Sequence, residues 1–401
     1  MNNKKGSSAV FLTLILATLV SITLALVYGV REEVASSKAD AVLSLAGDSI
    51  LSEFDYEVQK QYGLFLLKGS DEELTKKARD YANTTFAHME DVKVSRLKVS
   101  GSSFSVADPQ LIREQILEYM KYAEVQGVIE RFQSKEQSRK NEKETRILKH
   151  GPTIVSLPSA QVPKKKLTVL AEEIADRSSE VEKAFRSGTD AYLINRYVLS
   201  HFNNKNYMVN QDSFFKNEVE YILGGELSDR KNEKRVEMAL KAMRIPLNLA
   251  HIYADPEKRT AVLTAAQLLT PGAVAAATQL ALATTWAYAE ADNDVELLWQ
   301  GHKVPMVKDK QSWATDLDGA IEGIMGGTAK PDVEKGYDYN QYLQILLFFQ
   351  DENLKIARTL DLIQINARSG WDESFLISEH VTGISVTAEI NGREYGYEKK
   401  Y

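Results

Sequence analysis

The sequence predicts an α+β protein, mainly helical. An N-terminal transmembrane helix continues into a juxtamembrane helix, followed by a helical ectodomain with a small antiparallel sheet. Three observations carry that prediction. Gly6 to Val30 is an apolar run without a charged residue. Leu167 to about Arg368 is dominated by apolar residues at helical spacing. Period-two alternation is confined to Val92–Val106 and Ile384–Tyr397. Those two stretches read as N- and C-terminal hairpins, expected to share one sheet.

The anchor comes first. About 20 apolar residues in a helix cross a hydrocarbon core roughly 30 Å thick. Ala9, Val10, Phe11, Leu12, Leu14, Ile15, Leu16, Leu19, Val20, Ile22, Leu24, Leu26 and Val27 supply that surface. Thr13, Thr18, Ser21 and Thr23 are tolerable within it, because each hydroxyl can bond a carbonyl one turn back. A cleaved signal peptide has an apolar region of about 7–15 residues and a small-x-small cleavage site. This run is longer, and Val27-Tyr28-Gly29-Val30 is a poor site, so the expectation is retention. Lys4 and Lys5 place the N-terminus on the cytoplasmic side of the cell membrane, with a single pass and the bulk of the chain outside.

Beyond the span, 31–62 reads as one continuing helix with Val34, Ala39, Leu43, Ala46, Ile50, Phe54, Val58 and Tyr62 on its apolar stripe. Gly63 is its expected C-terminal cap. A helix from Asp71 to Met89 follows, with Ser70 as N-cap. After the first hairpin, Asp108-Pro109 opens another helix, and the charged run Lys135–Arg146 reads as its solvated end. Three prolines in 150–166 suggest a linker. The organisation expected is therefore 1–30 tip and anchor, 31–150 juxtamembrane helix with a small α/β region, 151–166 linker, and 167–401 mainly helical ectodomain. Helices are predicted near 167–187, 190–202, 212–223, 230–252, 257–269, 272–291, 315–325, 339–350 and 352–367. Asn391-Gly392 is a type I′ turn signal for the closing hairpin.

Between Arg259 and Glu290 no charged residue occurs, so a second membrane span has to be weighed. Its Ala and Thr content, Gln267, Gln279 and the Pro271-Gly272 interruption favour a pair of closely packed interior helices instead.

Composition narrows the chemistry. The 401 residues allow two or three compact units past the anchor. A net charge of −7 without a basic tract makes nucleic acid an unsuitable partner. The absence of cysteine removes disulfides, thiol catalysis and thiolate metal sites. It fits an organism that exports proteins without disulfides, such as many Gram-positive bacteria. The six histidines are scattered, with no HExxH pair, and neither a phosphate loop nor a nucleophile elbow is present. Gly224-Gly225 reads as a helix-to-loop turn. Asp292, Asp294 and Glu296 are spaced like the start of a calcium loop, but Leu297 and Lys303 stand where glycine and glutamate are needed. They read as a solvated helix end, and Asp316 and Asp318 are discounted likewise. Glu290, after Trp286-Ala287-Tyr288-Ala289, reads as a buried structural acid bonded to backbone or to Lys308. No catalytic residue, metal site or cofactor is predicted.

The opening Gly6-Ser7-Ser8-Ala9-Val10, its apolar run, the charged helix and the Tyr62-Gly63-Leu64-Phe65 ending resemble TadE/TadG-like proteins. Those are minor pilins or pseudopilins of the tight-adherence (Tad) pilus and related secretion machinery. The larger chain is similar to an uncharacterised Gram-positive family of membrane-anchored proteins accompanying such systems. That similarity rests on Glu220–Gly225 (EYILGG), Trp286–Gly301, Lys303–Lys308 and Gly336–Leu343. Prepilin processing would cut between Gly6 and Ser7, but such sites carry glutamate at the fifth position after the cut, where this chain has Phe11. The resemblance implies a non-enzymatic, extracytoplasmic component or accessory of a Tad-like apparatus. Its partners would be membrane lipid and pilin-like or secretion-assembly proteins. The alternative is an anchored hydrolase acting on envelope polymers through carboxylates such as Glu290 and Asp294.

Overall fold

The computed structural model of the protein describes residues 4–87, 94–125, 137–138, 157–323 and 336–401. Val92, His88, His150, most of the charged run 135–146 and the first part of the proline-bearing stretch lie outside them. Two compact units are present. One comprises Met1–Tyr56, Phe65–Val106 and Glu379–Tyr401, and the other comprises Glu57–Leu64 and Ala107–Ser378.

The first unit is organised on the N-terminal helix, Lys4–Leu51, whose 48 residues span about 72 Å. The expected continuation to residue 62 is interrupted. Ser52 and Glu53 close the last turn on the carbonyls of Asp48 and Ile50, and a separate short helix runs Tyr56–Tyr62. Ser49 and Ser52 bond back to Leu45 O and Ser49 O, an alternative to helical pairing that suits a helix end. The buried stripe is Ala35, Ala39, Val42, Leu43, Ala46 and Ile50. Val34, expected on it, is exposed because Ala35, one residue along, takes the inward place.

A small antiparallel sheet covers that stripe together with helix Asp71–Phe86, which begins in the capping box of Ser70 and Glu73. Its strand order is Val94–Ser100, Gly383–Ile390, Arg393–Lys400, with Val99 opposite Val386 and Val386 opposite Tyr397. The N-terminal strand is thus not half of a local hairpin, as its alternation suggested. After Ser100 the chain enters a 3-10 turn at Ser102–Phe104, and Ser105 bridges to Val381. Asp71 holds this turn by accepting from Gly101 N at 2.9 Å and Ser100 Oγ at 2.7 Å. The C-terminal hairpin is present. Asn391 and Gly392 both have positive φ, 50° and 78°, as a type I′ turn requires.

The second unit is helical. Among the described residues its elements include the α-helices Pro109–Val125, Leu167–Asp176, Asp190–His201, Glu218–Gly224, Asp229–Ala254, Pro256–Leu269, Ala275–Trp299, Leu317–Ile321, Tyr339–Phe349 and Glu352–Gly370. The last is buried along almost its whole length, from Leu354 to Ala367. Gly63 caps the short helix before it with φ 68°, its N–H bonded to Gln59 O at 2.8 Å. The uncharged stretch between Arg259 and Glu290 forms two helices separated at Thr270–Val274, where Gly272 takes φ 93°. Val262, Ala266, Ala283 and Ala287 are buried, whereas Leu268 at the tip is 80% exposed. Among the described residues the N-terminal helix alone is long and apolar enough to cross a membrane.

Candidate functional site

Every expected anchor residue from Ala9 to Val27 is exposed, and no part of the most apolar window is buried. Thr13, Ser21 and Thr23 bond the carbonyls of Ala9, Ala17 and Leu19, and Thr18 bonds that of Ile15. Gly6 and Ser7 lie within the helix. From Ala9 to Val27 the helix therefore presents apolar side chains and internally satisfied hydroxyls to its surroundings, as a membrane-crossing helix requires.

Past the apolar run, the same helix is fastened by the last strand through a polar ladder. Arg393 pairs with Glu32 at 2.8 Å, Tyr395 OH meets Ser36 Oγ at 3.0 Å, and Tyr397 OH donates to Asp40. Lys399 Nζ reaches Ser44 Oγ at 2.8 Å and Asp48 at 2.7 Å, and Tyr401 OH donates to Leu51 O. The spacing has a geometric basis. Four helical residues rise about 6.0 Å and two strand residues about 6.8 Å, so every fourth helix position meets every second strand position. Burial and the bond to Asp40 hold the Tyr397 phenol well above its usual pKa, so it remains a donor.

In the second unit, Glu290 has the structural role its surroundings suggested. It is fully buried on helix Ala275–Trp299, and Lys308 Nζ reaches its Oε1 at 2.6 Å. It also accepts from Ala314 N at 3.1 Å, Thr315 N at 2.9 Å and Thr315 Oγ1 at 2.7 Å. One turn on, Asp294 is equally buried, and it meets Lys308 Nζ at 2.6 Å and Arg244 Nε at 3.0 Å. Asp294 is therefore an interior charge and not part of a solvated helix end, because the helix continues to Trp299. Arg244 completes the set through Met306 O at 2.6 Å and Asn248 Oδ1 at 3.1 Å. Burial alone would lower the Arg244 pKa, but Tyr342, Asp294 and Glu290 outweigh it and raise it. Two cations and two carboxylates thus cancel in the interior, each held by further polar groups.

Asp292, Asp294 and Glu296 do not converge on a cation position. Asp292 pairs with Lys241, Asp294 faces the interior, and Glu296 accepts from Gln300. Asp316 is the N-cap of Leu317–Ile321, bonding Gly319 N at 2.7 Å. Among the described residues no group of three or more potential ligands gathers.

Three of the four stretches singled out in the sequence meet at these ions, and the fourth, Glu220–Gly225, joins them through Tyr339. Val304 and Tyr337 exchange backbone bonds of 2.9 Å, and Tyr342 OH lies 3.4 Å from Arg244. Tyr339 OH donates to Glu220 at 2.7 Å. Sequence reasoning missed Arg244 and Asn248, which sit unremarkably in a charged amphipathic helix. It also missed a basic cleft lined by Lys164–Lys166, Arg235 and Arg358, part of which falls in the stretch expected to be a linker.

Fold and site together define a mixed α and β protein with one candidate membrane-spanning helix and a helical unit built around buried, mutually neutralising charges. The chain belongs to a family of unknown function, DUF5702, whose model matches residues 130–392. No curated protein and no solved structure matches it.

Proposed function

We propose that this protein is a non-enzymatic, membrane-anchored, extracytoplasmic component or accessory of a Tad-like pilus or secretion apparatus, acting by protein–protein interaction. The observation that carries the reading is the single helix Lys4–Leu51, lipid-ready over its first half and fastened to its own sheet over its second. A continuous helix with no hinge transmits force and position between membrane and ectodomain, which suits an assembly role. Val34 and Leu45, 47% and 57% exposed, lie on the side of this helix away from its own core and give neighbouring helices an apolar surface. The Tad-like assignment rests on the resemblance of Gly6 to Phe65. Lys4 and Lys5 support a cytoplasmic N-terminus.

The full burial of Glu290 and Asp294 and their pairing with Lys308 and Arg244 favour this reading over a carboxylate hydrolase. The test is site-specific photo-crosslinking in cell membranes from Val34 and Leu45. Adducts with pilin-like or secretion-assembly proteins are expected, and their absence from both positions would sink the proposal.

A further inference from the structure

The helical unit also carries an open cleft of opposite character to its neutral interior. A cavity of about 480 Å³ is lined by Lys164, Lys165, Lys166, Arg235 and Arg358, with Glu226 its one carboxylate. In a chain of net charge −7 this is a pronounced gathering of positive charge. The cleft is built, not incidental. Arg358 is 3% exposed, and its Nη1 donates to Ile222 O and Leu223 O, both at 2.7 Å, at the end of helix Glu218–Gly224. Its buried Nε has no hydrogen-bond partner among the described residues. Gly225 lets the guanidinium lie against the backbone: it has φ 73°, and a Cβ there would stand 2.6 Å from Arg358 Cζ. Arg235 bonds Gly224 O at 2.7 Å and pairs with Glu226, while Lys165 pairs with Glu173. Lys164 and Lys166 are exposed and form no ion pair among the described residues.

A second cavity, of about 700 Å³, adjoins the first through Lys164, Lys165, Leu167 and Leu223. Its further walls include Val162, Pro163, Leu170, Phe349 and Leu354. Asp351, also there, is engaged as the N-cap of the long buried helix, accepting from Leu354 N at 2.9 Å. Both chambers are lined mainly by apolar surface, the first with the clustered cations and the second with Gln350 and Asn353 as its further polar groups, and together they suit a ligand with an anionic head and an apolar tail.

We propose that this double cleft binds an anionic membrane lipid, its phosphate head among Lys164, Lys166 and Arg358 and its acyl tail along Leu170, Phe349 and Leu354. Guanidinium and ammonium groups together are suited to phosphate oxygens. Each chamber is in the size range of organic-ligand sites, larger than a bare phosphate fills. A chain carrying a membrane-crossing helix is kept beside its lipid supply, which favours a lipid over a soluble phosphate. The choice of lipid rests on the membrane anchoring proposed above, whereas the site itself is independent of any assembly partner.

The test uses the full chain in a non-ionic detergent. Native mass spectrometry and calorimetry would follow dihexanoyl phosphatidic acid, dihexanoyl phosphatidylcholine and glycerol phosphate. Saturable binding of the phosphatidic acid is expected, at least about tenfold tighter than the zwitterionic lipid or the tailless phosphate, a gap of about 1.4 kcal/mol. The paired variant Lys164→Glu/Lys166→Glu, at exposed positions, should weaken it by about tenfold or more. Lys76→Glu/Lys121→Glu, the same charge change elsewhere, should leave it unaltered. Equal binding of both lipids, or no effect of the Lys164/Lys166 pair, overturns the proposal. Glycerol phosphate binding as tightly as the lipid overturns the lipid assignment in favour of a soluble phosphate. No saturable binding overturns the site.

Discussion

Replacing Lys308 by methionine tests the buried ion cluster most directly. The substitution keeps an unbranched chain but deletes the ammonium that contacts Glu290 and Asp294 at 2.6 Å each, and strands the Ser312 carbonyl it bonds at 2.8 Å. The interior then carries one uncompensated negative charge. Removing one partner of a buried pair costs about 3–5 kcal/mol. The lower end is expected here, because Glu290 keeps Ala314 and Thr315 as donors and Asp294 keeps Arg244 and Asn248. Glu290→Gln alone leaves the opposite imbalance and should cost a similar ~3 kcal/mol. In the double variant the charges balance again. The glutamine oxygen can still receive Thr315, and its amide can turn toward the Ser312 carbonyl. The double should therefore cost about 3 kcal/mol, not the ~6 of additivity, an interaction energy of roughly 3 kcal/mol. Urea unfolding followed by tryptophan fluorescence reads this well, since Trp286 and Trp313 lie 5.6 Å apart beside the cluster. Additive single-variant costs, or a Lys308→Met loss under about 1 kcal/mol, would refute the coupled-cluster argument.

Three other outcomes follow from the same structure. His201 is buried and held neutral, its pKa pushed down to about 4, chiefly by burial. The unfolded chain binds the proton more readily, so stability falls as pH drops from about 6.5 and levels off below about 4. The loss totals roughly 3 kcal/mol and should disappear from the pH profile of His201→Asn. Gly392→Ala meets open space but keeps φ 78°, so it should cost only about 1–2 kcal/mol; Gly225→Ala adds a clash with Arg358 and should cost more, by denaturant midpoint. Tyr397→Phe removes one rung of the ladder to Asp40 and should lower stability by about 1 kcal/mol, with amide exchange rising in the C-terminal hairpin.

Properties local to a stretch of chain were readable without coordinates. That Gly6–Val30 is long and apolar enough to cross a membrane is read from its residues alone, because length and lack of charge are properties of the run itself. Ser70 as N-cap, Asn391-Gly392 as a turn and Pro271-Gly272 as a break are likewise decided by backbone chemistry over a few residues. Strand partnership was not readable. Alternation in 94–100 announces a strand, but whether its partner is the next segment or Gly383–Ile390 depends on packing, and the nearby turn is drawn away by Asp71. The end of the N-terminal helix at Leu51 was also hidden, since nothing from Ser52 to Asp55 forbids helix.

The site divides in the same way. Glu290 and Lys308 are near enough in sequence to be paired on paper. Arg244 lies 50 positions before Asp294 and looks like any charge on an amphipathic helix. Only the folded chain decides that it is buried, which neighbours neutralise it, and that Lys164–Lys166 converge with Arg235 and Arg358. Hydropathy and turn chemistry are properties of adjacent residues, whereas the environment of a charge is set by segments that meet only once the core has formed.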